Sequence, residues 1–171
     1  MNKIPILGFS GYSNSGKTTL IEKLIVSLKF KGLHVAVIKH HAHENLEADK
    51  PGKDSWKFTQ AGADISIVSS LNKTAFIEQR SLEFQQLVSM VHDVDLILVE
   101  GFKREPIMRI GVCRKQVHDE FPDELHRYLA VVTDKDELQT EIPKFNFEQI
   151  EQLSNFVLQA LEDGRLMERG I

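Results

Sequence analysis

An apolar run, Ile4-Pro5-Ile6-Leu7-Gly8-Phe9, leads into Gly11-Tyr12-Ser13-Asn14-Ser15-Gly16-Lys17-Thr18, which opens into Thr19-Leu20-Ile21-Glu22-Lys23-Leu24-Ile25. The middle stretch has the P-loop spacing G-x-x-x-x-G-K-[ST] in the strand–loop–helix setting that the pattern requires. Its glycines let the backbone turn and approach a ligand closely. Successive N–H groups of such a loop form a concavity for phosphate oxygens, and the following helix presents its positive end to the same anion. Lys17 is placed to neutralise β- and γ-phosphates, and the Thr18 hydroxyl to ligate Mg²⁺. Chance yields the pattern at roughly one position in 30,000 at ordinary residue frequencies, so a coincidental Gly/Ser turn is the weaker reading.

The remaining chain reads as strands alternating with helices, which implies a mostly parallel α/β sheet. Leu20, Ile21, Leu24, Ile25 and Leu28 share one face of a helix from about Gly16 to Lys31, stopped by Gly32. Residues 33–38 form a β-branched run that opens into a polar loop, 39–53. A short helix is expected from Asp54, as its cap, to Gly62. Residues 65–69 and 73–77 read as an antiparallel hairpin, and Ser81 as the cap of a helix carrying Phe84, Leu87, Val88 and Val91. Asp95-Leu96-Ile97-Leu98-Val99-Glu100 reads as a strand buried on both faces. Residues 109–113 and 128–133 are further strands. Asn146 and Gln149 form a capping-box variant before a last helix whose inner face is Ile150, Leu153, Val157 and Leu161. The expected architecture is a single P-loop NTPase-like three-layer sandwich over residues 1–171. Residues 114–127, charged and without period, read as a surface loop, and 104–127 as a mobile or partner-facing region.

Bulk properties narrow the function classes. A net charge of −4 supplies no field that recruits nucleic acid or anionic membrane. No apolar run approaches the ~18 residues of a membrane span, and the amino terminus does not read as a signal peptide. The single cysteine, Cys113, excludes an internal disulfide and reads as a buried, inert thiol. A cytoplasmic location is the expectation.

In an open parallel sheet, ligands bind beyond the carboxyl ends of the strands. Glu100 ends the run Leu96-Ile97-Leu98-Val99, where a P-loop protein carries its Walker B acid, and can serve Mg²⁺ or orient water. Asp49 is a second candidate Mg²⁺ acid, and Lys53 a candidate phosphate contact. His40, His41 and His43 invite a metal reading, which the absence of nearby cysteines weakens. Thr133-Asp134-Lys135-Asp136 is a degraded form of the N/T-K-x-D guanine-binding pattern. Asp136 could accept the N1–H and exocyclic amine of guanine, and a plain exposed turn fits as well.

Taken together, Ser13 to Thr19, Ile38-Lys39-His40-His41, Asp49-Lys50-Pro51-Gly52-Lys53-Asp54-Ser55, Ala61-Gly62-Ala63 and Asp95 to Lys103 resemble the molybdopterin-guanine dinucleotide biosynthesis protein B (MobB) family. The resemblance covers about the first 60% of the chain. It implies a GTP-binding P-loop protein with weak, Mg²⁺-dependent GTPase activity, usually a homodimer. Its role would lie beside the guanylyltransferase that joins GMP to molybdopterin, with molybdopterin itself a possible ligand. By matching motif, Gly11 to Thr19 bind phosphate and Mg²⁺. Lys17, Asp49 and Glu100 would be catalytic, and Thr18, Asp49 and Glu100 would hold the metal. Lys103 or Arg104 would be phosphate contacts or ordinary surface charges. Competing readings are a pure GTP-binding module, a small-molecule kinase using Arg109, Arg114 or Arg127, and a metal-delivery GTPase using the three histidines.

Overall fold

A computed structural model describes residues 4–41 and 49–166. The chain divides into two compact units, Met1–His40 with Met90–Ile171, and His41–Ser89.

The larger unit is built on a six-stranded sheet in the order β2-β5-β1-β6-β7-β8, with every neighbouring pair parallel. The strands are β1 (Ile6–Ser10), β2 (Val35–Lys39), β5 (Leu96–Glu100), β6 (Arg109–Cys113), β7 (Tyr128–Thr133) and β8 (Lys144–Phe145). β1 and β6 are buried along their whole length, as continuous apolar strands of a parallel sheet should be. One face packs on helices α1 (Lys17–Phe30) and α4 (Ile150–Glu162). Leu7, Phe9, Leu98, Ile110 and Val132 meet Leu20, Leu24, Leu28, Leu153 and Val157 there. On the opposite face, connecting segments come close to the strands. A side chain added at Gly8 would collide with Arg109 and Ile107, and one at Gly111 with Tyr128 and Phe121.

The smaller unit holds α2 (Asp54–Gln60), the antiparallel pair β3 (Ile65–Ser69) and β4 (Thr74–Glu78), and α3 (Phe84–Ser89). The expected fold class, a mostly parallel α/β sheet with an antiparallel hairpin, is what the chain forms. Among the described residues no helix is long and apolar enough to cross a membrane.

Some expected boundaries move. Asp54 does not cap α2: the cap position is Lys53 in extended conformation, and Asp54 is the first helical residue, paired with Lys57. Ser81 does not cap α3, which begins at Phe84, where the Glu83 N–H donates to Gln86 Oε1 at 2.9 Å. Val91 lies beyond the end of α3. The reciprocal bonds expected of Asn146 and Gln149 do form, Asn146 N–H donating to Gln149 Oε1 at 2.8 Å and Gln149 N–H to Asn146 Oδ1 at 3.1 Å, but they close a turn ahead of α4, whose cap position is Gln149 without a side-chain cap bond.

Candidate functional site

β1 ends at Ser10 and α1 begins at Lys17, so the six residues between them must reverse the chain tightly. Asn14 (φ 63°) and Gly16 (φ 89°) supply the left-handed conformations that this needs. At Gly11 the constraint is space: a Cβ would stand 2.4 Å from the Val112 carbonyl oxygen and 2.7 Å from Ser15 Oγ. The loop therefore lies directly against β6.

The start of α1 is arranged for an anion. Gly16 provides no side-chain cap, and the first turn carries no acid. The Lys17 ammonium folds back over the loop, donating to the Gly11 carbonyl at 3.0 Å and the Tyr12 carbonyl at 2.7 Å. Burial pushes the Lys17 pKa below its ordinary value; Glu100 opposes that shift, and Lys103 and Lys39 add to it. Three lysines thus act electrostatically around one carboxylate, an excess of positive charge suited to a polyanion. The buried Ser15 hydroxyl, within the same loop, has no hydrogen-bond partner among the described residues.

β5 brings Glu100 to this point, because Phe9 of β1 stands opposite Glu100 in the parallel register. The Thr18 hydroxyl donates to Glu100 at 3.1 and 3.3 Å from its two oxygens. A hydroxyl and a carboxylate beside a P-loop lysine are oxygen donors of the kind Mg²⁺ takes, with water completing its shell. The residues present fit both a phosphate chain and its cation.

The turn after Glu100 is held by Arg109, which the sequence offers only as a candidate kinase arginine. Arg109, 7% exposed, donates to the carbonyls of Gly101 (3.1 Å), Phe102 (2.5 Å) and Glu105 (3.2 Å). These bonds fix a left-handed pair, Gly101 at φ 95° and Phe102 at φ 46°. With its guanidinium committed to the backbone, Arg109 is not a lid arginine, which counts against the kinase reading. Arg114 lies over the Phe147 ring at 4.0 Å, beside Gly16. The segment 114–127 also meets the P-loop and the end of β1 before it. His118 stacks on Tyr12 with centroids 4.0 Å apart, and Asp123 Oδ2 accepts from Ser10 Oγ at 3.1 Å. No local pattern announces these contacts; each depends on neighbours distant in sequence.

Asp49 belongs to the smaller unit; its Oδ1 accepts from the Lys50 N–H at 2.8 Å and its buried Oδ2 has no hydrogen-bond partner among the described residues. Asp136 is exposed in the loop after β7, where its backbone carbonyl accepts from Lys144 Nζ at 3.1 Å. His40 extends the β2–β5 pairing through its N–H to the Glu100 carbonyl (2.9 Å), and its ring packs against Phe102 at 4.8 Å. His43 lies outside the described residues, among which no three His, Cys, Asp or Glu side chains form a metal-holding group. Cys113 is buried, as expected, and donates to the carbonyl of His118 at 3.2 Å.

Residues 6–134 match the model of a family described as Molybdopterin guanine dinucleotide synthesis protein B, MobB. A Haemophilus influenzae protein named molybdopterin-guanine dinucleotide biosynthesis adapter protein is 38% identical over 91% of this chain and 89% of its own. An Escherichia coli protein of the same name is 36% identical, with 93% and 94% covered. The crystal structure of Bacillus subtilis MobB superposes with a TM-score of 0.74 at 27% identity, covering 91% of this chain and 97% of that one.

Proposed function

The chain belongs to the molybdopterin guanine dinucleotide synthesis protein B family, and on that premise we propose that it is a GTP-binding adapter with weak GTPase activity, assisting the guanylyltransferase step of molybdopterin-guanine dinucleotide synthesis. The observation that carries the nucleotide part is the convergence of Lys17, Thr18 and Glu100 at the open start of α1. The adapter role comes from the family and from the names of its relatives.

On binding, the Lys17 ammonium would exchange two backbone carbonyls for phosphate oxygens, which restores the charged form that burial disfavours. The first-turn N–H groups of α1 would bind the same phosphates. Thr18 and Glu100 would hold Mg²⁺, and Asp49 is proposed as a further acid on the strength of its family block alone. When bound, the cation supplies charge neutralisation across the β- and γ-phosphates. Glu100 would also orient the attacking water. Slow turnover fits a site whose best-buried arginine, Arg109, is committed to backbone carbonyls. Preference for guanine rests on the family, with Asp136 as the candidate acceptor.

A homodimer belongs to the same proposal. The hairpin β3–β4 exposes the cross-strand pair Ile67 and Phe76, with Ile65 on the same face. An exposed apolar two-stranded sheet suits pairing with a second copy.

The test is displacement of a fluorescent GTP analogue by GTP, GDP, ATP and molybdopterin in the presence of Mg²⁺. Guanine nucleotides should displace it best. Lys17→Ala should abolish binding, and Glu100→Gln should lower Mg²⁺-dependent turnover far more than affinity. Unchanged affinity in Lys17→Ala would end the nucleotide reading, and better displacement by ATP would end the GTP assignment.

A further inference from the structure

Lys39 is the last residue of β2, directly opposite Glu100 in the β2–β5 register. Its Nζ lies 3.4 Å from Glu100 Oε2 and 3.5 Å from Thr18 Oγ1. These are the two groups that fit a divalent cation, and an ammonium already stands on both. The carboxylate side of the pair is 14% exposed and the lysine side 49%, so the stem has room to swing. A partly exposed ion pair of this kind is weak and so easily exchanged. The lysine stem is flexible and its ammonium is not bound to one geometry, unlike a guanidinium fork. Lys39 also lies within the field that acts on Lys17, at the mouth of the same loop.

We propose that Lys39 is a positioning and specificity residue of the nucleotide site, acting as an internal stand-in for the divalent cation. In the cation-free protein its ammonium holds Thr18 and Glu100 together and offsets the Glu100 charge. When a triphosphate arrives, Lys39 yields those oxygens to the cation and turns to the terminal phosphate. The exchange conserves charge pairing throughout and involves no covalent step. It rests on the nucleotide reading given above and adds a residue that discriminates triphosphate from diphosphate.

The experiment compares wild type, Lys39→Met and Lys39→Arg in two titrations. The first adds Mn²⁺ to nucleotide-free protein, followed by electron paramagnetic resonance of the free ion. The second measures affinity for N-methylanthraniloyl-GTP and -GDP at fixed Mg²⁺. Lys39→Met should bind Mn²⁺ severalfold more tightly, because its internal competitor is gone. Its GTP-to-GDP affinity ratio should fall about tenfold, the loss of one charged phosphate contact. Lys39→Arg should keep the ratio. If Lys39→Met leaves either Mn²⁺ affinity or the GTP-to-GDP ratio unchanged, Lys39 is a cross-strand ion pair only and the inference is wrong. Wild type that binds GTP together with an inert Lys39→Met refutes this inference alone. Wild type that binds neither nucleotide refutes the underlying reading, and this inference with it.

Discussion

Replacing Arg109 with methionine removes a charged donor but keeps most of the stem that lies over Gly8. Three backbone carbonyls, those of Gly101, Phe102 and Glu105, lose their side-chain donor. At about 1 kcal/mol net per hydrogen bond, the loss is about 3 kcal/mol. Burial already disfavours the guanidinium charge, with Asp123 and Tyr128 opposing that effect, so removing it returns part of the desolvation cost. A net destabilisation of about 2 kcal/mol is expected, or roughly 4–8 °C in melting temperature for a chain of this size. Function should suffer in a particular way. Phe102 holds a left-handed conformation without being glycine, and Gly101–Phe102 sets where Glu100 points. Lys39, Thr18 and the P-loop remain in place, so nucleotide affinity without Mg²⁺ should change little while its enhancement by Mg²⁺ falls. Thermal melting, with nucleotide titration in Mg²⁺ and in chelator, reads both effects. A variant that melts like wild type would refute the backbone-clamp argument. One that loses affinity equally in both buffers would refute the link to Glu100.

Two further outcomes follow from close packing and burial. Gly11→Ala places a Cβ 2.4 Å from the Val112 carbonyl, so the loop must lift from β6. A loss of about 2–3 kcal/mol in urea denaturation is expected, with weakened triphosphate binding. Cys113 should resist iodoacetamide in the native protein and react fully once unfolded, since it is buried and burial pushes its thiol pKa upward from 9.0. The linkage sign is then set: above pH 9 the unfolded thiol ionises first, so the folded state holds more protons and stability falls as pH rises. Denaturation midpoints measured from pH 8 to 10 should decline less steeply in Cys113→Ala than in wild type; parallel slopes would contradict this.

What was legible in the chain was what lies close together along it. The P-loop and the buried run ending at Glu100 are local patterns, and both formed as read, while the Asn146–Gln149 bonds closed a turn ahead of the helix they were expected to cap. The caps proposed at Asp54 and Ser81 failed because many Ser and Asp residues satisfy a cap rule in sequence, and only the backbone decides which one stands at the helix start. β8 was missed since two residues show no period. At the site, Thr18 and Glu100 were recognisable from motifs, but Lys39 became a partner only through strand register and Arg109 only through burial. Read along the chain, Lys39 is only part of a family block and Arg109 one of three candidate kinase arginines.

The shared register of three adjacent strands has a consequence for how this protein can change. Phe9, Lys39 and Glu100 stand side by side across β1, β2 and β5, with the P-loop two residues beyond Phe9. Inserting or deleting one residue within any of these strands would shift its end by about 3.3 Å and turn its side chain to the opposite face. The site therefore has no slack along its strands: substitutions can be absorbed there, but changes of length cannot. Variation in length among relatives should collect in connections such as the Leu71–Asn72 turn of the hairpin, where adding residues alters no register at Phe9, Lys39 or Glu100.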